Sequence, residues 1–253
     1  MILTCIGTGT AAPESDRVCS GYLLDGHGLR ILFDCGGGVV HGMARLGVAW
    51  PDLTHLVLTH FHNDHIGDVP LLFFALKHGL RPPREEPLTV IGPHGTRKLL
   101  HRMAELFGEH VSDPGFPVDV VELADGEDRR LAGVVSIRAR KSRHTPESLA
   151  FRVEADSSSF CYTGDTGVSG DLAIFAQGAD ILLTECSVPD EEAMETHLSP
   201  AGVAEMARIA LPKRLVLTHV YPQLDRTAVP GLVRTAGWPG SVAVPRDGEM
   251  FEL

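Results

Sequence analysis

Within seven residues, Thr59-His60-Phe61-His62-Asn63-Asp64-His65, the chain carries three imidazoles and a carboxylate. Residues two apart in an extended segment share a face, so His60 and His62 can reach one metal ion together. Asp64 and His65 lie just past Asn63, where the chain should turn, and can aim at a second ion. Nitrogen-rich ligation with one carboxylate suits zinc, and less selectively manganese or iron. The bland alternative is a polar loop that happens to contain histidines. The arrangement H-x-H-x-D-H is rare enough by chance to favour the metal site.

The elements must bring other chemistry-bearing residues to this motif. The apolar run at 55–58 reads as a buried strand, so the imidazoles sit where a strand spills into a loop. The five letters LVLTH occur at 56–60 and again at 215–219, so a second strand delivers His219 in the same way. Asp34 ends a strand over 29–33, which pairs with 21–24 across a turn containing Asp25-Gly26-His27-Gly28. Asp34 either orients a ligand histidine or caps the helix expected near 39–46. The Asp34-Cys35-Gly36-Gly37-Gly38 turn has neither a Walker lysine nor G-x-G-x-x-G spacing, so it is no phosphate loop. A second hairpin, 149–154 with 159–162, leads into Thr163-Gly164-Asp165-Thr166-Gly167. A strand over 181–184 ends in Glu185, and Ser199-Pro200 marks a helix start just after His197. Strands at 2–6, 88–91, 118–123 and 134–139 and helices at 69–80 and 97–107 complete the reading. Residues 138–144 form the one dense basic run. It is either a solvated edge or, through Arg140 and Lys141, a grip for an anionic substrate beside His144.

Composition bounds the function. A chain of 253 residues, 43% hydrophobic and 22% charged, is an ordinary globule with no apolar run long enough for a membrane span. Five scattered cysteines without a C-x-x-C pair argue against a disulfide framework and for a reducing cytoplasm. A net charge of −11 argues against bulk nucleic-acid binding. Strands and helices mixed throughout, with similar signals in both parts, predict one domain over 1–253 built of two similar αβ halves.

Asp34, the H-x-H-x-D-H block, His144, Asp165 and His219, in this order, resemble the metallo-β-lactamase superfamily, within it the ribonuclease Z-like phosphodiesterase branch. The resemblance covers nearly the whole chain. It implies an α/β fold, the four-layer αβ/βα sandwich of two mixed sheets flanked by helices, and two divalent ions, zinc first, with manganese or iron as alternatives. His60, His62 and His144 would hold one ion; Asp64, His65 and His219 the other; Asp165 would bridge. A metal-bridging hydroxide would be the nucleophile. Proton delivery to the leaving group is implied for His197, helped by Glu185 and Asp64. His197-Leu198-Ser199 is a loosened form of the family's His-Ser-Thr motif, and Thr184 replaces the histidine that normally precedes the glutamate.

Transfer-RNA-processing members insert a long basic arm between the third histidine and the bridging aspartate. Here Asp165 follows His144 by only 21 residues, enough for one hairpin. The expectation is therefore a hydrolase of small phosphodiesters, with a small anionic ester as partner and neither long structured RNA nor membrane. A homodimer is left open. The alternatives are a ribonuclease Z-type tRNA 3′ endonuclease, an arylsulfatase or lactonase on the same metals, a mononuclear iron enzyme of sulfur oxidation, and a non-catalytic binding module.

Overall fold

The computed structural model describes residues 1–253. The chain first lays down β1 (Ile2–Gly7), β2 (Gly21–Gly26) and β3 (Leu29–Phe33) as an antiparallel meander. It then adds β4 (His55–Val57), β5 (Leu88–Pro93) and β6 (Val118–Leu123) in parallel. Parallel pairing requires crossovers, and these are α1 (Val39–Arg45), then α2 (Asn63–Ile66) with α3 (Val69–His78), then α4 (Thr96–Phe107).

The second sheet repeats the plan. β7 (Asp128–Ala132), β8 (Val135–Lys141), β9 (Leu149–Ala155) and β10 (Ser158–Tyr162) run antiparallel. β11 (Ile181–Glu185), β12 (Arg214–Thr218) and β13 (Val242–Ala243) follow in parallel. Their crossovers are α5 (Gly170–Phe175), α6 (Pro200–Ala210) and α7 (Val229–Thr235). β14 (Met250–Glu252) returns to the open edge of β1, giving two seven-stranded sheets.

Burial explains the layering. One apolar cluster lies between the sheets and includes Leu3, Phe33, Phe151 and Phe160. A second packs α1, α3 and α4 on the first sheet, through residues such as Met43, Phe73 and Leu100. A third packs α5, α6 and α7 on the second, through Leu172, Met206 and Val233. β11 is buried at every residue, as expected of a parallel strand covered on both faces. The result is the expected four-layer sandwich. No helix is long and apolar enough to cross a membrane.

Local chemistry sets the turns. His27 and Gly28, with φ of 54° and 74°, close the β2–β3 hairpin as a two-residue turn that needs two positive φ angles. Ser199 caps α6 by accepting from the Gly202 amide, with Pro200 in the first turn. Several elements went unread in the sequence. β7 is an exposed polar edge strand, Asp-Arg-Arg-Leu-Ala, with no apolar alternation to reveal it. β13 and β14 are two and three residues long, and α2 only four, too short for any period to show.

Candidate metal centre

The strands of both sheets end at one cleft. β3 runs into Asp34, β4 into Thr59 and His60, β10 into Asp165, β11 ends in Glu185, and β12 runs into His219. β4 stops at Val57, so His60 and His62 lie on the segment beyond it, and His62 is the N-cap of α2 with extended φ −66° and ψ 147°. The turn expected at Asn63 is thus the first residue of a helix, which swings Asp64 and His65 to the other side of the cluster. Gly36 is obligatory here: a Cβ on it would stand 1.9 Å from the Asp64 carbonyl. Gly164, with φ +58°, likewise lets β10's end approach Thr59, whose Cβ lies 2.8 Å from where a side chain would begin.

His60, His62 and His144 form a triangle of imidazoles with ring centroids 4.7–4.8 Å apart and planes crossing at 77–86°. His60, His62, His144 and Asp165 each offer a donor atom within 4.8 Å of the others. Asp64, His65 and His219 do the same. Asp165 stands between the groups, its Oδ1 3.3 Å from His65 Nε2 and its Oδ2 3.7 to 3.9 Å from the Nε2 atoms of His219, His144 and His60. All seven expected donors are brought together.

Hydrogen bonds behind the cluster fix which nitrogen faces it. His65 Nδ1 donates to Asp34 Oδ2 at 2.8 Å, His144 Nδ1 to the Thr196 carbonyl at 3.1 Å. Thr59 Oγ1 donates to Asp34, so it accepts from His60 Nδ1 at 3.0 Å. Ser187 Oγ donates to Glu185, so it accepts from His219 Nδ1 at 3.0 Å. These bonds turn the Nε2 atoms of His60, His65, His144 and His219 toward the centre, the orientation of metal-bound histidines. His62 differs, turning Nδ1 to the centre, 2.9 Å from His144 Nε2. The donor set passes a further test of fit: the buried Nε2 atoms of His60 and His65 have no hydrogen-bond partner, a cost of about 1–3 kcal/mol each that a cation would remove.

Burial and neighbouring charges shift these groups in different directions. Burial, reinforced by the neighbouring histidines, pushes His60 down to about 2. Burial would raise Asp64, but the hydrogen bond to His219 and the charges of His65 and His219 hold it at about 2. Burial opposes a charge on His65, yet Asp165 and Asp34 on its two nitrogens hold it well above the ordinary imidazole value.

His197 lines the same cleft. Its Nδ1 lies 3.0 and 3.1 Å from the two Glu185 oxygens, and its ring is parallel to that of His219 at 6.1 Å. Burial would lower its pKa, but Glu185 outweighs it and raises it. Glu185 is itself buried and also accepts from the Thr166 and Leu198 amides.

Three expectations need revision or extension. Asp34 does not cap α1; Asp68 accepts from the Gly38 and Val40 amides instead, because the Asp34 carboxylate is taken up by His65, Thr59 and Tyr162. Arg140 and Lys141 do not grip the cleft. Arg140 pairs with Asp125 at 3.6 Å and lies over the Phe175 ring, and Lys141 Nζ donates to the Thr145 and Pro146 carbonyls. Alternation along β8 turns Arg140 to the helix side, and the loop after His144 absorbs the Lys141 ammonium. Ser187, which joins Glu185 to His219, was not anticipated; its place two residues past Glu185 was the only signal.

Residues 29–220 match the β-lactamase superfamily domain. The chain is 27% identical to ribonuclease Z of Halorubrum lacusprofundi, covering 99% of this chain and 96% of that protein. That alignment runs over 307 positions, more than the 253 residues here, so the relative carries segments this chain lacks. The fold matches the metallo-β-lactamase fold protein YhfI of Bacillus subtilis with a TM-score of 0.85 at 24% identity, covering 99% of this chain and 98% of that one. It matches the short form of human tRNase Z with a TM-score of 0.80 at 25% identity, over 100% and 99% of the two chains. Two sheets in four layers with a histidine-aspartate cluster at their strand ends define a hydrolase of the metallo-β-lactamase fold. The chain belongs to the β-lactamase superfamily, in its ribonuclease Z-like branch.

Proposed function

We propose that this protein is a two-metal phosphodiesterase of small anionic esters. The observation that carries the reading is the pair of donor groups meeting at Asp165, with the Nε2 atoms of His60 and His65 buried and unpartnered. His60, His62 and His144 would hold one ion, Asp64, His65 and His219 the other, and Asp165 both. Zinc suits this donor set best. Bound there, such ions supply a water acidified towards neutral pH and a Lewis acid for the phosphoryl oxygen. With two divalent ions held there, the carboxylates of Asp64 and Asp165 would be outweighed and the cleft would attract an anion.

The chain's own residues do the rest. Glu185 holds His197 by Nδ1, so Nε2 is free to pass a proton to the departing oxygen. Ser187 holds His219 by Nδ1, and Asp64 stays ionised with Oδ2 3.1 Å from His219 Nε2, close enough for both to meet one ion. Substrate size is read from the rim. Between His144 and Asp165 lie only the β9–β10 hairpin and its short connections, so no arm projects from there to hold a distant phosphate. Glu191, Glu192 and Glu195 are exposed on the segment leading to His197, and their charge opposes a long polyanion.

The ribonuclease Z name of the relatives favours a second reading, tRNA 3′ processing. A screen of metal-loaded protein separates the two. Bis-aryl phosphodiesters or cyclic nucleotides should be turned over faster than precursor tRNA, aryl sulfates and lactones. Efficient tRNA processing with little activity on small diesters would reverse the order.

A further inference from the structure

Two buried tyrosines cross the space between the sheets in opposite directions. Tyr162, the last residue of β10 in the second sheet, donates to Asp34 Oδ2 beyond β3 in the first, at 2.9 Å. Tyr22, on β2 of the first sheet, places its hydroxyl 2.6 Å from Thr218 Oγ1, the last residue of β12 in the second. Their rings touch, with centroids 4.9 Å apart. Tyr22, Tyr162, Asp34 and Thr218 are all at most 2% exposed. Burial pushes both phenols up, so they stay protonated.

The hydroxyls end where the ligands begin. The Asp34 oxygen that accepts from Tyr162 also accepts from His65 Nδ1 and from Thr59 Oγ1. Thr59 in turn holds His60. One bond from the second sheet thus reaches one histidine of each proposed metal group. Thr218 immediately precedes His219, whose φ of +52° must be held by its neighbours. Phenylalanine would fill the same core volume without either bond. Packing therefore explains the rings and leaves the hydroxyls unexplained.

We propose that Tyr22 and Tyr162 are positioning residues, a reciprocal strap that sets the spacing of the two sheets at the cleft so that His60, His65 and His219 converge on Asp165. The inference deepens the metal-centre reading and rests on it. The test is zinc affinity by chelator competition, the visible spectrum of cobalt-substituted protein, and melting of the metal-free form, for the parent, Tyr162→Phe, Tyr22→Phe and Thr218→Val. Tyr162→Phe should melt only a few degrees lower without metal, for the one buried hydrogen bond lost, yet bind zinc about 10–100-fold more weakly, the range found when a group behind a metal ligand is lost. Its cobalt spectrum should shift. Tyr22→Phe and Thr218→Val should match each other, and combining them should cost no more than either alone. Thr218→Val leaves the aromatic pair intact, so it reads the strap even if a tyrosine variant fails to fold. Parent-like affinity and cobalt spectra in all three variants would overturn the strap alone. A parent that binds no divalent ion would overturn the metal centre, and the strap with it.

Discussion

Glu185 and His197 illustrate how a residue's role depends on what stands behind it. Glu185 is held by two backbone amides and Ser187, and it fixes one imidazole nitrogen while leaving the other for the cleft. His197→Ala should slow diesters with poor leaving groups by roughly 10²–10⁴-fold, yet spare nitrophenolate esters, whose leaving oxygen needs little protonation. Equal losses on both would assign His197 a structural role. Some of these residues were legible in the sequence and others were not. His60, His62, Asp64 and His65 announce themselves because four donors sit in one short motif. Ser187, Tyr22 and Tyr162 do not, because what they do depends on which strand end lies opposite, and pairing across two sheets leaves no local pattern.

At the scale of elements, the centre is made by where strands stop. The repeated LVLTH was readable because a buried parallel strand is an unbroken apolar run. The exact end of β4 and the helical form of the turn expected at Asn63 were not, since tertiary contacts set them. Gly36 is one such contact, and Gly36→Ala should drive its Cβ into the Asp64 carbonyl. The cost should be about 1–3 kcal/mol in a urea titration, as for other overpacked sites, with weaker metal binding. Ser199→Ala should remove the α6 cap and about 1 kcal/mol. Asp180 anchors the start of β11 through the Ser159 amide at 2.7 Å and Lys213 at 2.6 Å. Burial would raise its pKa, but Lys213 and Ser159 outweigh it and lower it below 3.8. A depressed carboxylate stabilises the fold above its unfolded pKa, and that share is lost as pH falls through the folded value. The stability gap between the parent and Asp180→Asn should therefore be constant near neutrality and close below about pH 4. A gap that persists to lower pH would show that the charge contributes nothing.

For the molecule as a whole, two similar αβ halves were legible from mixed strand and helix signals and the repeated LVLTH, and the four layers followed from the family resemblance, while polar β7 and the short β13 and β14 hid at the edges. The net charge of −11 and the bare hairpin between His144 and Asp165 both bear on substrate. Turnover of a small diester should depend weakly on salt, because few phosphates are engaged; a steep dependence would point to a long nucleic acid. Ions that bind only the folded chain add to its stability, by about 4 kcal/mol at a thousandfold excess over Kd, so chelation should lower the melting temperature. The measurement that reaches furthest is the metal-to-protein ratio of the parent and Asp165→Ala by elemental analysis after zinc loading and desalting. A shared centre predicts about two zinc ions per parent chain and weakened retention of both in the variant. One ion or none in the parent, or two held as tightly without Asp165, would contradict it.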